Sequence, residues 1–135
     1  MLDLLNIGYH NLTATDYSDH AIERQLELLS YESYPEDSVE LFPMDARKME
    51  AGWTNRFDAI IEKGALDAIY LSGDGNLEKS VKEFERILKP GGVLISVSGV
   101  VPEELRREIF ADWNWIRDGS ADLQAGCFLL SLPAE

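Results

Sequence analysis

Four short apolar runs, Leu12 to Thr15, Val39 to Phe42, Phe57 to Ile61 and Val93 to Val97, are separated by stretches of helical periodicity. This alternation constrains the fold more than any other feature. The runs are bounded by turn residues and do not alternate with polar ones, which is the pattern of strands buried on both faces. Between them, Ile22, Leu26 and Leu29 recur at helical spacing behind Ser18, and Leu77, Val81, Phe84 and Leu88 form a second stripe behind Asn76. Ser and Asn favour helix starts because their side-chain oxygens accept from the free amides of the first turn. The second helix is predicted to end at Lys89, with Pro90-Gly91-Gly92 turning the chain before the next strand. A third helix is signalled by Pro102 at its first position, Glu103 and Glu104 in the first turn, and Leu105 and Ile109 on one face.

Alternating strands and helices imply an α/β fold, an open and mostly parallel sheet with helices on both faces in a three-layer sandwich. Two further runs, Trp113 to Ile116 and Cys127 to Leu132, flank the turn residues Arg117-Asp118-Gly119-Ser120 and predict a closing antiparallel hairpin. A length of 135 residues with 45% hydrophobic content suits one modest core, so residues 1–135 are expected to form a single domain.

The formal charge of −13 repels nucleic acid and anionic membrane and favours a basic partner, although the same acidity also serves plain solubility. Cys127 is the single cysteine, which excludes an internal disulfide and a thiolate zinc site. His10 and His20 have no metal-ligand spacing, so no metal is expected. No basic cluster precedes an apolar stretch at the amino terminus, and no apolar run approaches the roughly 20 residues that span a bilayer. A soluble, cytoplasmic protein is expected.

In such a sheet, ligands bind beyond the carboxyl ends of the strands. Asp16 follows the first run, where a fixed carboxylate accepts from both ribose hydroxyls of a nucleoside or, equally, caps the helix that begins near Ser18. Asp45 follows the second run in Phe42-Pro43-Met44-Asp45-Ala46. A carboxylate there either accepts from an adenine amino group or is an ordinary loop aspartate. Tyr17 and Met49 are candidate apolar walls for a base, or plain packing.

The third run opens the most distinctive string, FDAIIEKGALDAI from Phe57 to Ile69. It resembles the FDxVxDKGTLDA segment of a methyltransferase-like family within the class I S-adenosylmethionine-dependent methyltransferases. That family includes lysine methyltransferases acting on translation elongation factor 1-alpha and on citrate synthase. The resemblance extends in register through NIGYHNLTATDYSDHAIERQ from Asn6 to Gln25, ERILKPGGVLISVS from Glu85 to Ser98, and the terminal hairpin with Trp113-Asn114-Trp115.

The resemblance implies S-adenosyl-L-methionine as cofactor and a protein lysine or other amine as methyl acceptor. It gives Asp16, with Tyr17 beside it, the ribose role; it gives Asp45 with Ala46 the adenine role; and it places Glu62 at the cofactor-side strand-end position nearest the methyl group, as the candidate catalytic carboxylate that orients a lysine ammonium. Glu62 stands where the family has Asp, and Ala65 where it has Thr. The family's first strand and glycine-rich G-x-G loop have no counterpart here. Met1 to Ile7 resembles the tail of the following helix, with Gly8 as its stop, and Gly73 and Gly75 form G-x-G before the wrong helix. The expected sheet therefore lacks its middle strand, so the strands ending at Asp16 and Glu62 either pair directly or keep free inner edges. An amino-terminally truncated methyltransferase domain is one reading, and a non-catalytic, degenerate binding or scaffold protein is the other. A nicotinamide-binding domain would carry a G-x-G-x-x-G loop before Asp16, and none is present.

Overall fold

The computed structural model describes residues 2–9, 11–16, 18–35, 39–73, 76–118 and 126–134. By internal contacts the chain divides into two compact units, Met1–Ala46 and Arg47–Glu135.

The first unit holds helix α1 (Leu2–Asn6), strand β1 (Thr13–Asp16), helix α2 (Asp19–Tyr31) and strand β2 (Glu40–Pro43). Gly8 takes φ 101°, a left-handed conformation that stops the helical segment at the predicted position. β1 and β2 pair in parallel with Asp16 opposite Pro43. Parallel pairing needs a crossover, which α2 supplies. Leu5, Leu29 and Val39 form the core here, flanked by Leu12, Ala14, Tyr34 and Leu41. Ser18 caps α2 by accepting from the Ala21 amide at 3.3 Å, as its residue type predicts. Ser18→Ala is expected to lower stability by about 1 kcal/mol in urea denaturation; an unchanged midpoint would show that the cap contributes nothing.

The second unit contains a 3₁₀ turn (Ala51–Trp53), β3 (Phe57–Lys63), α3 (Ala65–Ser72), α4 (Asn76–Ile87), β4 (Leu88–Ser98), α5 (Glu103–Ile109), β5 (Asn114–Asp118) and β6 (Gly126–Ser131). Its sheet order is β3-β4-β6-β5, with β3 parallel to β4 and the β4-β6 and β6-β5 pairs antiparallel. The fold is thus α/β with a mixed sheet ending in the predicted antiparallel hairpin. Residues 119–125, on which part of the expected hairpin turn falls, lie outside the described residues. Leu66, Leu77, Val81, Phe84, Leu94, Phe110 and Leu130 are buried together where α3 and α4 meet the sheet.

Three expectations shift. Helix α4 ends at Ile87, and Lys89 already belongs to β4. Pro90-Gly91-Gly92 makes an irregularity inside the strand and not a turn before it: Phe57 pairs with Leu88, and the register then shifts so that Ala59 pairs with Val93. Gly91 takes φ 76° there, and a Cβ on Gly92 would lie 2.8 Å from the Lys89 carbonyl oxygen, so both positions require glycine. The sequence also gave no expectation of helix α3, which starts behind Gly64 at φ 77°.

Among the described residues, β1 pairs only with β2, and β3 pairs only with β4.

Candidate functional site

The carboxyl ends of the strands carry the predicted residues. In the first unit, parallel pairing places Asp16 and the chain leading to Asp45 at the same end of two adjacent strands, and the Met44 amide donates to the Asp16 carbonyl at 2.7 Å. Asp16 is exposed, whereas Asp45 and Ala46 are half-buried. The Asp16 carboxylate accepts from the Ser18 amide through Oδ1 at 2.9 Å. It therefore braces the entry to α2, while Ser18 itself is the cap. A carboxylate offers about four acceptor positions, so this bond leaves capacity for a ligand. Tyr17 lies outside the described residues.

A cleft of ≈ 230 Å³ opens beside Thr15, Asp16, Ile22, Gln25 and Leu41. Sites that bury drug-sized ligands measure roughly 300–1,000 Å³. This cleft by itself therefore fits a fragment of a nucleoside cofactor and not the whole molecule. The residue chemistry fits the nucleoside half at Asp16, whose carboxylate lines the cleft and retains acceptor capacity for hydroxyl donors; Asp45 is not among the residues that line it. Among the described residues of this unit, no glycine-rich loop joins a strand to a helix to supply amides for the amino-acid half.

In the second unit, Glu62 lies at the carboxyl end of β3 and is 5% exposed. Oε1 accepts from the Leu66 amide at 3.0 Å, and Oε2 accepts from Ser96 Oγ at 2.5 Å. Gly64 has no side chain to cap α3, so Glu62 does that work from two residues back. Burial pushes the Glu62 pKa above the ordinary carboxylate range, against the opposing bonds from Ser96 and Leu66.

Asp67 is the residue that sequence reasoning passed over. It is half-buried, and its carboxylate accepts from Ser98 Oγ and from the amides of Gly99, at 2.9 Å, Val100, at 3.2 Å, and Val101, at 3.3 Å. One side chain thus fixes the whole turn after β4. Burial acts to raise its pKa, but the hydroxyl and three amides outweigh it and hold the carboxyl below its usual range. The Gly64 amide donates to the Val97 carbonyl at 3.0 Å, tying the ends of the two parallel strands together.

Arg106 on α5 was also missed. It is 1% exposed, with its guanidinium 3.9 Å from the centroid of the Phe128 ring. Lys63 and Ala65, next to Glu62, are exposed at the same strand end. No helix among the described residues is long and apolar enough to cross a membrane.

Comparison with known proteins places this architecture. Human EEF1A lysine methyltransferase 2 is 31% identical over 112 residues, covering 80% of this chain and 46% of that protein. Mouse EEF1A lysine methyltransferase 4 is 28% identical over 119 residues, covering 80% of this chain and 45% of that protein. The chain therefore spans about half the length of the curated relatives it matches. The solved structure of the N-methyltransferase NodS from Bradyrhizobium japonicum with S-adenosyl-L-homocysteine superposes with a TM-score of 0.70, at 16% identity, over 91% of this chain and 67% of that one. That likeness shows a shared fold. A sequence model described as a methyltransferase domain matches residues 2–94, and the chain belongs to that methyltransferase domain family.

Proposed function

We propose that this chain acts in S-adenosyl-L-methionine-dependent methyl transfer to an amine, with a lysine of a basic protein as the acceptor. The observation that carries the reading is Asp16 at the carboxyl end of β1, beside the carboxyl end of the parallel strand β2, from which the chain runs on to Asp45. The names of the curated relatives, lysine methyltransferases of EEF1A, support the acceptor class. The net charge of −13 supports a basic partner.

When bound, the cofactor supplies a sulfonium methyl for in-line displacement by a neutral amine. Asp16 is assigned to the ribose hydroxyls through the acceptor capacity that Ser18 leaves, with Tyr17 beside it. Asp45 and Ala46 are assigned to the adenine. Glu62, at the carboxyl end of β3, is assigned to fixing the turn after that strand, since its oxygens already hold Leu66 and Ser96. Asp67 sets the turn after β4 in the same way. Rigid turns at strand ends matter because misplacement by about 1 Å can cost about 100-fold in rate.

The test is isothermal calorimetry of the full chain with S-adenosylhomocysteine. Asp16→Ala and Asp45→Ala are each expected to weaken binding by about 1–3 kcal/mol, because nucleoside donors lose their acceptors. Unchanged affinity in both variants would overturn the assignment. Absence of heat up to millimolar ligand would instead favour the non-catalytic reading of the fold.

A further inference from the structure

One row of side chains crosses the buried face of the second unit's sheet at the level of Glu62. The register sets Glu62 opposite Ser96, and Ser96 opposite Phe128. Arg106 lies over this row with its guanidinium on the Phe128 ring. Its Nε and Nη1 are buried without a hydrogen-bond partner. A guanidinium does not shed its charge in a protein, so its burial has to be offset by neighbouring groups. The ring face stabilises the cation through its π-system, yet it offers nothing to donors that lie in the guanidinium plane.

Two carboxylates lie close enough for their charge to act on Arg106: Glu62 from β3 and Asp67 from α3. Asp67 already accepts from four donors. Glu62 accepts from two and retains capacity. The elements between them present Ser96 and Phe128, which carry no charge.

We propose that Arg106 is a positioning residue whose guanidinium is the counter-cation of Glu62, keeping the carboxylate seated on Ser96 and the first turn of α3 beneath the carboxyl end of β3. The role in catalysis rests on the function proposed above; the charge coupling itself does not.

The experiment is a double-mutant cycle on the full chain with Arg106→Met, Glu62→Gln and the double variant, read by urea denaturation at pH 7.5 and pH 5. Arg106→Met is expected to lower the folding constant about tenfold more in the wild-type background than in the Glu62→Gln background. The sign with pH follows from linkage. Loss of the cation raises the Glu62 pKa further, so the penalty is absent when the carboxyl is protonated and grows as pH rises through the folded-state pKa. The excess loss is therefore larger at pH 7.5 than at pH 5. Additive effects at both pH values would overturn the proposal and leave Arg106 as packing on Phe128. Should Arg106→Met fail to fold, Arg106→Gln, which keeps a polar donor but removes the charge, serves with carboxyl NMR of Glu62: a titration shifted upward supports the coupling, and an unmoved one overturns it. Neither readout involves cofactor, so failure here is distinguishable from failure of the proposed function.

Discussion

Asp67→Ala is expected to lower folding stability by about 3 kcal/mol, a large effect for a half-buried polar residue. The carboxylate holds the Ser98 hydroxyl and three consecutive amides, Gly99 to Val101, and alanine leaves all four donors without their partner. Water can replace some of these bonds at Gly99 and Val100, which are exposed, but less readily at Ser98 and Val101, which are buried. Asp67→Asn keeps one acceptor oxygen and the side-chain shape, so about half the loss is expected.

The pH dependence follows from the same bonds. The folded-state pKa of Asp67 is depressed, so its contribution is present above the unfolded value and is lost as pH falls below about 4 toward the folded value. Urea denaturation at pH 7 and pH 3 checks both statements. The difference between wild type and Asp67→Ala should shrink at the lower pH; a loss below about 1 kcal/mol at pH 7 would contradict the account.

Phe110→Ala is expected to cost about 3–5 kcal/mol. Phe110 is 0% exposed and meets Trp113 edge to face, with ring centroids 5.4 Å apart. Its carbonyl also accepts from the Trp115 indole at 3.1 Å, so the residue that ends α5 anchors the start of the closing hairpin. Removing the ring leaves a void among Leu94, Leu130 and Trp113, neighbours within one core that cannot all collapse into it. Phe110→Leu keeps most of the volume and should cost clearly less. Thermal or urea unfolding of both variants decides the point: equal and small losses would mean that the hairpin does not depend on this ring.

The strands were legible as apolar runs bounded by turn residues, Phe57 to Ile61 and Val93 to Val97 among them, although the expected burial on both faces fails in β3, where Ala59 is exposed and Ile61 is 56% exposed. The hairpin was legible for the same reason. Helix α3 was hidden by Gly64, which ordinarily marks a stop. Here the left-handed glycine lets Glu62 reach forward to the Leu66 amide. The spacing of Leu66, Ile69 and Tyr70, all packed in the core, was the available signal. The bulge at Lys89 to Gly92 escaped because Pro-Gly-Gly marks an interruption without saying whether the strand resumes its pairing afterwards.

The site residues divide along similar lines. Asp16 and Asp45 could be named because position after a strand is a sequence property. The inward seat of Glu62 depends on Ser96, which lies on another strand and becomes a neighbour only through the register. Arg106, in the string Leu105-Arg106-Arg107, has the look of a solvent-facing cation. Its place one helical turn before the buried Phe110 was the hint that it shares the buried face. Asp67 carried no signal beyond its place in the motif, since its partners follow a different strand.

The central claim is that Asp16 and the Asp45-Ala46 segment bind the nucleoside of the cofactor. Amide NMR of the full chain during titration with S-adenosylhomocysteine tests it most directly. The account predicts saturable shifts at Asp16, Ser18, Asp45 and Ala46 that share one dissociation constant. Saturable shifts confined to other residues, with these four unmoved, would contradict it.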